Sequence, residues 1–148
     1  MKVREIIRLK GGTLYTAAPD QTLASAIEQM ARLDAGSLVV LTGSKMEGML
    51  TFREVLKAVS TQKDSTAVTV AQVMVKDPVT ASPEMEANEL RRLMIEKHMR
   101  YLPVVEQGEL LGVISLLDVA KAVLEEQGFE NQMLKNYIKN WPGESGGE

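Results

Sequence analysis

The sequence contains no cysteine. That removes disulfides, a thiolate nucleophile and any Cys-based metal site. His98 is the single histidine, which leaves too few soft donors for zinc, so no metal is expected. Aromatic residues make up only 4% of the chain, and Leu, Val, Ile, Ala and nine Met must fill the interior. Met is adaptable filler, and a core role accounts for most of the nine. No apolar run approaches the roughly 18 residues of a membrane span, and the first ten residues lack a signal-peptide core. No membrane association is therefore expected, and the simplest compartment is the cytoplasm. With a net charge of −3, the chain also lacks the global basic footprint of a nucleic-acid binder. A local basic cluster, Arg91, Arg92, Lys97, His98 and Arg100, is the exception, and a nucleic-acid partner is not expected.

What the chain does contain is a repeat, the first feature to seek in any sequence. Displaced by 64 positions without a gap, Thr16, Ala17 and Pro19 fall on Thr80, Ala81 and Pro83. Met30 falls on Met94, Leu38 on Leu102, Val40 on Val104, Gly48 on Gly112 and Val55 on Val119. Lys57, Ala58 and Val59 fall on Lys121, Ala122 and Val123. Two such copies imply two similar folds related by a pseudo-two-fold axis. With 45% apolar and 25% charged residues in 148, the chain can bury a real core.

Hydrophobic spacing supplies the elements. A short helix is predicted over 3–9, then an extended Tyr15-Thr16. A helix opens at Pro19-Asp20, buries Leu23, Ala26, Ile27, Met30 and Leu33, and ends at Gly36. A strand spans Ser37–Thr42, Gly43-Ser44 turns the chain, and Met46–Thr51 is the partner strand. A helix follows with Phe52, Val55, Leu56 and Val59 at helical spacing. Residues 60–69 are a polar linker. The second copy repeats the series: extended Val79-Thr80, a helix over about 84–97, strands over 101–105 and 110–115, and a helix carrying Leu116, Val119, Ala120, Val123 and Leu124. Pro103 cannot donate a ladder hydrogen bond, so its strand must be an edge or carry a bulge. Each copy thus reads β-α-β-β-α. The units are set at 1–62, with the N-terminal helix, and 70–127, joined by a linker at 63–69. Residues 128–148 form a C-terminal helix and tail. In that last helix Met133, Leu134, Tyr137, Ile138 and Trp141 share one side, fit either to pack back on the chain or to clasp a second subunit. Pro142 stops it.

The two copies share one chemical motif. Gly48-Met-Leu-Thr-Phe-Arg-Glu54 and Gly112-Val-Ile-Ser-Leu-Leu-Asp118 each run from strand to helix with a hydroxyl at the N-cap position. Backbone N–H groups in the following turn are unpaired and favour an anion such as phosphate. A carboxylate three residues on accepts hydrogen bonds and can hold both hydroxyls of a ribose diol. Gly48 and Gly112 allow a ligand or a backbone to approach closely. The same residues also spell a capping box, in which the acid folds back onto the cap's own N–H. That accounts for Thr51 with Glu54 well and for Ser115 with Asp118 less well, because the box prefers Glu or Gln.

The chain resembles a tandem pair of CBS domains, the regulatory module named after cystathionine β-synthase. The resemblance covers about 5–127 and rests on Thr-Ala-Ala-Pro19, Thr-Ala-Ser-Pro83, His98-Met-Arg-Tyr-Leu-Pro-Val-Val105 and the two glycine-to-acid segments. Residues 129–142 are similar to the tail of small stand-alone bacterial members. The resemblance implies an α/β (α+β) fold of two repeats with facing sheets. Between them lie up to two sites for an adenine nucleotide: AMP, ADP, ATP or NAD. It implies Ser115 and Asp118 on phosphate and ribose at one site and Thr51 and Glu54 at the other, with Thr16, Ala17, Thr80 and Ala81 lining adenine. His98 and Arg100 would reach phosphate, where the first half has Asp34 and Gly36. The remaining candidates are Tyr101, Val113, Ile114 and the Arg53 guanidinium. Glu54 in place of Asp carries the carboxylate further out, so the second-half site is expected to be the tighter. The resemblance also implies a homodimer and a regulated partner protein. Three readings follow: a nucleotide-responsive regulatory module, a ligand-free scaffold, and, with no base, nucleophile or metal cluster in view, most remotely an enzyme.

Overall fold

The structure, a computed structural model, describes residues 1–61 and 63–139. The predicted Trp141 contact, the Pro142 stop and the tail lie outside those residues. Its elements are α1 (Val3–Lys10), β1 (Thr16–Ala17), α2 (Leu23–Leu33), β2 (Ser37–Thr42), β3 (Lys45–Thr51) and α3 (Phe52–Ser60). Then come α4 (Val70–Val73), β4 (Val75–Lys76), α5 (Ala87–Glu96), β5 (Tyr101–Glu106), β6 (Glu109–Ser115) and α6 (Leu116–Lys139). The first sheet has the order β1-β2-β3-β4 and the second is the pair β5-β6. The mixed α+β architecture and its repetition agree with the sequence.

Apolar periodicity builds one core per repeat. Leu23, Ala26 and Met30 on α2 meet Leu38, Val40 and Leu50 from the sheet, all nearly or fully buried. Leu90 and Met94 on α5 meet Leu102, Val104 and Ile114 in the same way. Each core is completed from the other end of the repeat boundary. Val3 and Ile6 of α1, the N-terminal helix assigned by sequence to the first unit, are buried in the second core. Val70 of α4, assigned to the second unit, is buried in the first. Contiguous stretches of sequence are therefore not the packing units.

The same exchange corrects the helix starts. Pro19 and Pro83 open turns, and their carbonyls accept from Ala71 N and Arg4 N at 2.9 Å each. Val70 N and Val3 N likewise donate to Gln21 and Met85 carbonyls at 2.8 and 2.9 Å. These carbonyls serve the visiting helix, so α2 begins only at Leu23, with Thr22 Oγ1 accepting from Ser25 N, and α5 only at Ala87. The end of α2 also differs from expectation. Asp34, at φ 52°, takes the left-handed position, and Gly36 lies beyond it.

Where the repeats differ, a residue accounts for it. Val39 N donates to Tyr15 O at 3.0 Å, and β1 forms beside β2. Pro103 stands at the equivalent position with no N–H to give. There the strand shrinks to a single bridge between Ala81 and Val104, whereas the register irregularity beside it in β5 has its equal at Val40 in β2 and owes nothing to the proline. At the opposite edge, β4 lies against β3 with Gly48 facing Lys76, and any side chain at 48 would run into the Val75 backbone. The second sheet has the α1 side chain Ile7 in that place, 3.4 Å from where a Gly112 Cβ would stand.

The last helix does not break at Gly128. It runs unbroken to Lys139, tolerating a glycine that costs about 1 kcal/mol relative to Ala. Beyond it Phe129, Met133, Leu134, Tyr137 and Ile138 are each more than half exposed. They continue the helical face that carries Val119 and Ala122 but project past the core instead of packing back on it. Among the described residues, no helix is long and apolar enough to cross a membrane.

The two glycines predict different costs. Gly48→Ala should destabilise by about 1–3 kcal/mol and strip hydrogen-exchange protection from Val75 and Lys76. Gly112→Ala, facing only a flexible Ile7 side chain, should change the urea midpoint little.

Candidate functional site

Two clefts open between the repeats, of about 830 Å³ and 590 Å³, within the range of small-molecule sites. They are copies of each other. The first is lined by Leu14, Tyr15, Asp34, Ala35, Val113, Ser115 and Leu116, and the second by Pro78, Val79, His98, Met99, Met49, Thr51 and Phe52. Each member of the second set lies 64 positions from its counterpart in the first. A heptad from one repeat therefore faces the strand entrances of the other. His98 stands opposite Thr51, whereas the sequence grouped it with Asp118. Arg100 and Tyr101 line both clefts, and the Tyr101 phenol fills the space over Gly36 that any side chain there would occupy.

Of the residues singled out by sequence, Val113, Ser115, Arg100, Tyr101, His98, Thr51, Arg53 and Glu54 line a cleft. Ala17, Ala81 and Ile114 point into the cores. Thr16 and Thr80 lie off both clefts, Thr16 with its carbonyl bonded by Gln29 Nε2 at 2.7 Å. Gly48 and Gly112 accommodate neighbouring protein, as described above. Tyr15 and Val79 were not foreseen, although their matching positions in the repeat could have drawn attention to them. Lys57 and Lys97 were also missed as cleft residues.

Both carboxylates are engaged by their own helices. Glu54 is 9% exposed, and its Oε1 accepts from Thr51 N and Thr51 Oγ1, each at 2.8 Å. Asp118 Oδ2 accepts from Ser115 N at 2.9 Å, while Asp118 N donates to Ser115 Oγ at 3.0 Å. Asp118 does not line the cleft, but its partners Ser115 and Lys10 do. Lys10 Nζ, from the end of α1, donates to Asp118 Oδ2 at 2.8 Å and to the Val113 carbonyl at 2.9 Å. No sequence signal marked this contact, which spans 108 positions. Asp118 Oδ1 carries no hydrogen bond among the described residues. Burial alone would raise the Asp118 pKa. The Lys10 hydrogen bond, the Ser115 N–H and the Lys10 charge outweigh it and hold the group below its ordinary value.

The clefts differ in charge. Arg53, Lys57, Lys97 and Arg100 line the second, none ion-paired with an acid among the described residues. The first has Lys10, already paired, with Arg100 and Asp34. Asp34 and His98 hold the same backbone shape, φ 52° and 55°. In each turn the next N–H returns to the helix, Ala35 N to Met30 O at 2.9 Å and Met99 N to Met94 O at 2.8 Å. No group of three or more His, Asp or Glu among the described residues could hold a metal ion.

Comparison with known proteins matches the CBS domain family at residues 3–61 and 70–125. The CBS domain-containing protein YhcV of Bacillus subtilis is 30% identical over 105 residues, 71% of this chain and 75% of that protein. A putative signal-transduction protein with CBS domains from Burkholderia ambifaria superposes with a TM-score of 0.79 at 32% identity, over 86% of this chain and 96% of that one. The CBS domain pair of protein MJ0100, solved in complex with 5′-methylthioadenosine and S-adenosyl-L-methionine, gives a TM-score of 0.73 over 85% of this chain and 98% of that one. At 17% identity it bears on the fold alone.

Because the folded pKa of Asp118 lies below its unfolded value of about 3.9, its contribution to stability is present above that value and lost as pH falls through the folded pKa. Urea midpoints measured from about pH 6 down to pH 3 should therefore fall more steeply for the wild type than for Asp118→Asn. Parallel curves would contradict the Lys10–Asp118 contact.

Proposed function

This chain belongs to the CBS domain family as a tandem pair, and on that premise we propose that it is a regulatory module whose clefts bind an adenine nucleotide. The observation that carries the reading is the doubled cleft. Each copy sets a hydroxyl-capped helix start, with its carboxylate bonded to the cap, against strand entrances from the opposite repeat. A phosphate would lie at the helix start near Ser115 or Thr51, competing for N–H groups that now bond the Gly36 and Arg100 carbonyls and the cap hydroxyls. A ribose diol would compete for the acid, using Asp118 Oδ1 and then displacing Lys10 from Oδ2. Protein MJ0100, which shares the fold, was solved with two adenosine compounds, and we take that ligand class as the one to test here. Candidate ligands are AMP, ADP, ATP and NAD.

Occupancy would reach a partner through the element it disturbs. Lys10 closes α1, and α1 is packed in the second core, so releasing Lys10 couples the cleft to the inter-repeat contact. Such a shift transmits only the ligand's differential affinity for the two arrangements. We assign the output to another protein and the working form to a homodimer, its contact drawn from exposed apolar residues on the heptad helices, including Val59 and Leu124. The scaffold reading also has an observation in its favour: both acids are satisfied as helix caps without a ligand.

Thermal shift and equilibrium dialysis with AMP, ATP and NAD separate the readings. A ligand at a hundredfold excess over its Kd should add about 2.7 kcal/mol of stability. Asp118→Ala should abolish binding in the first cleft while the protein stays folded. Silence with every ligand would leave the scaffold reading standing.

A further inference from the structure

The two clefts share a backbone but not a charge, and we infer that they take different ligands. The second cleft is a polyphosphate site, suited to a nucleoside di- or triphosphate. The first takes an adenosine compound with no polyphosphate. This rests on the adenine-nucleotide reading above and names the ligand class of each cleft.

The contrast is position by position. Arg53 in the second cleft corresponds to Leu117 in the first and His98 to Asp34; Lys57 and Lys97 line the second cleft alone, and Arg100 borders both. In each of the two pairs a nitrogen donor is replaced, once by an apolar residue and once by an acid. Among the described residues lining the second cleft the only carboxylate is Glu54, buried and bonded to Thr51. Its cations therefore face the cavity uncompensated. A triphosphate carries several negative charges and many acceptor oxygens, which guanidinium and ammonium groups satisfy with strong, charge-assisted bonds. In the first cleft Lys10 is held by Asp118 and the Val113 carbonyl, and Asp34 opposes Arg100. A polyphosphate entering there would meet Asp34 at the place where His98 stands in the other cleft. Like charge at close range repels it, and the walls of Tyr15, Val113 and Leu117 suit a nucleoside.

Arg53 is exposed and its side chain makes no hydrogen bond among the described residues, so Arg53→Leu tests the assignment without disturbing the fold. Calorimetric titration of the full chain with ATP should show one strong site per chain. Adenosine should still bind to ATP-saturated protein. Arg53→Leu should weaken ATP about ten- to a hundredfold, the range expected on losing a charged hydrogen bond, and leave adenosine within about twofold. The converse change, Asp34→His, should let a second ATP bind. The proposal is overturned, with nucleotide binding intact, if ATP fills both clefts of the wild type alike or if Arg53→Leu leaves its affinity unchanged. Failure of ATP, AMP and adenosine alike to bind would overturn both this assignment and the reading beneath it.

Discussion

Everything described here depends on a reciprocal loan between the repeats. Each sends a short helix to finish the other's core, and each receives it on carbonyls exposed by a proline turn. The Pro19 and Gln21 carbonyls take the N–H groups of α4, and the Pro83 and Met85 carbonyls take those of α1. Unpaired, these N–H groups would be orphan donors of a helix start. Here they are the joint. Val3 and Val70, both fully buried, anchor it from the apolar side. The joint holds the two repeats face to face, and the clefts are what remains between them. Neither repeat could form a cleft alone, because each cleft takes its heptad from one copy and its opposite wall from the other.

Much of this was legible in sequence because it repeats. The offset that aligned Gly48 with Gly112 also aligns the walls of the clefts, and strands Ser37–Thr42 and Tyr101–Glu106 fall where β-branched runs placed them. What was not legible is set across the molecule. No periodicity reports that α1 belongs to the far core, since Val3 and Ile6 are spaced for any apolar surface. For the same reason the sequence joined His98 to the Asp118 site. Symmetry says which residues are equivalent, but not which equivalent faces which. Lys10 is the clearest case. Its role is defined only by an acid at the other end of the chain. Gly128 misled in the other direction, because a glycine in open solvent carries too small a penalty to end a helix that is otherwise well formed.

The capping box and the nucleotide cradle, which compete as explanations of the heptad, are two states of the same atoms. A carboxylate that satisfies its own helix start is ready for a diol, because the helix has already fixed its position. Each acid leaves one oxygen without a hydrogen bond among the described residues, but Asp118 shares its other oxygen with Lys10, while Glu54 is buried deeper and bonds both the amide and the hydroxyl of Thr51. The two acids thus start from different degrees of commitment, even though the sequence around them is parallel.

The left-handed turn residues carry a last implication. Asp34 and His98 sit at positive φ, where a branched or bulky side chain is strained but Asn, Asp, His and Gly are tolerated. That short roster includes an anion, a neutral amide, a titratable ring and no side chain at all. The hinge between helix and strand can therefore change electrical sign without changing shape. Ligand preference at such a spot is free to drift while the architecture stands still, so two proteins of this build could share every strand and answer to different metabolites.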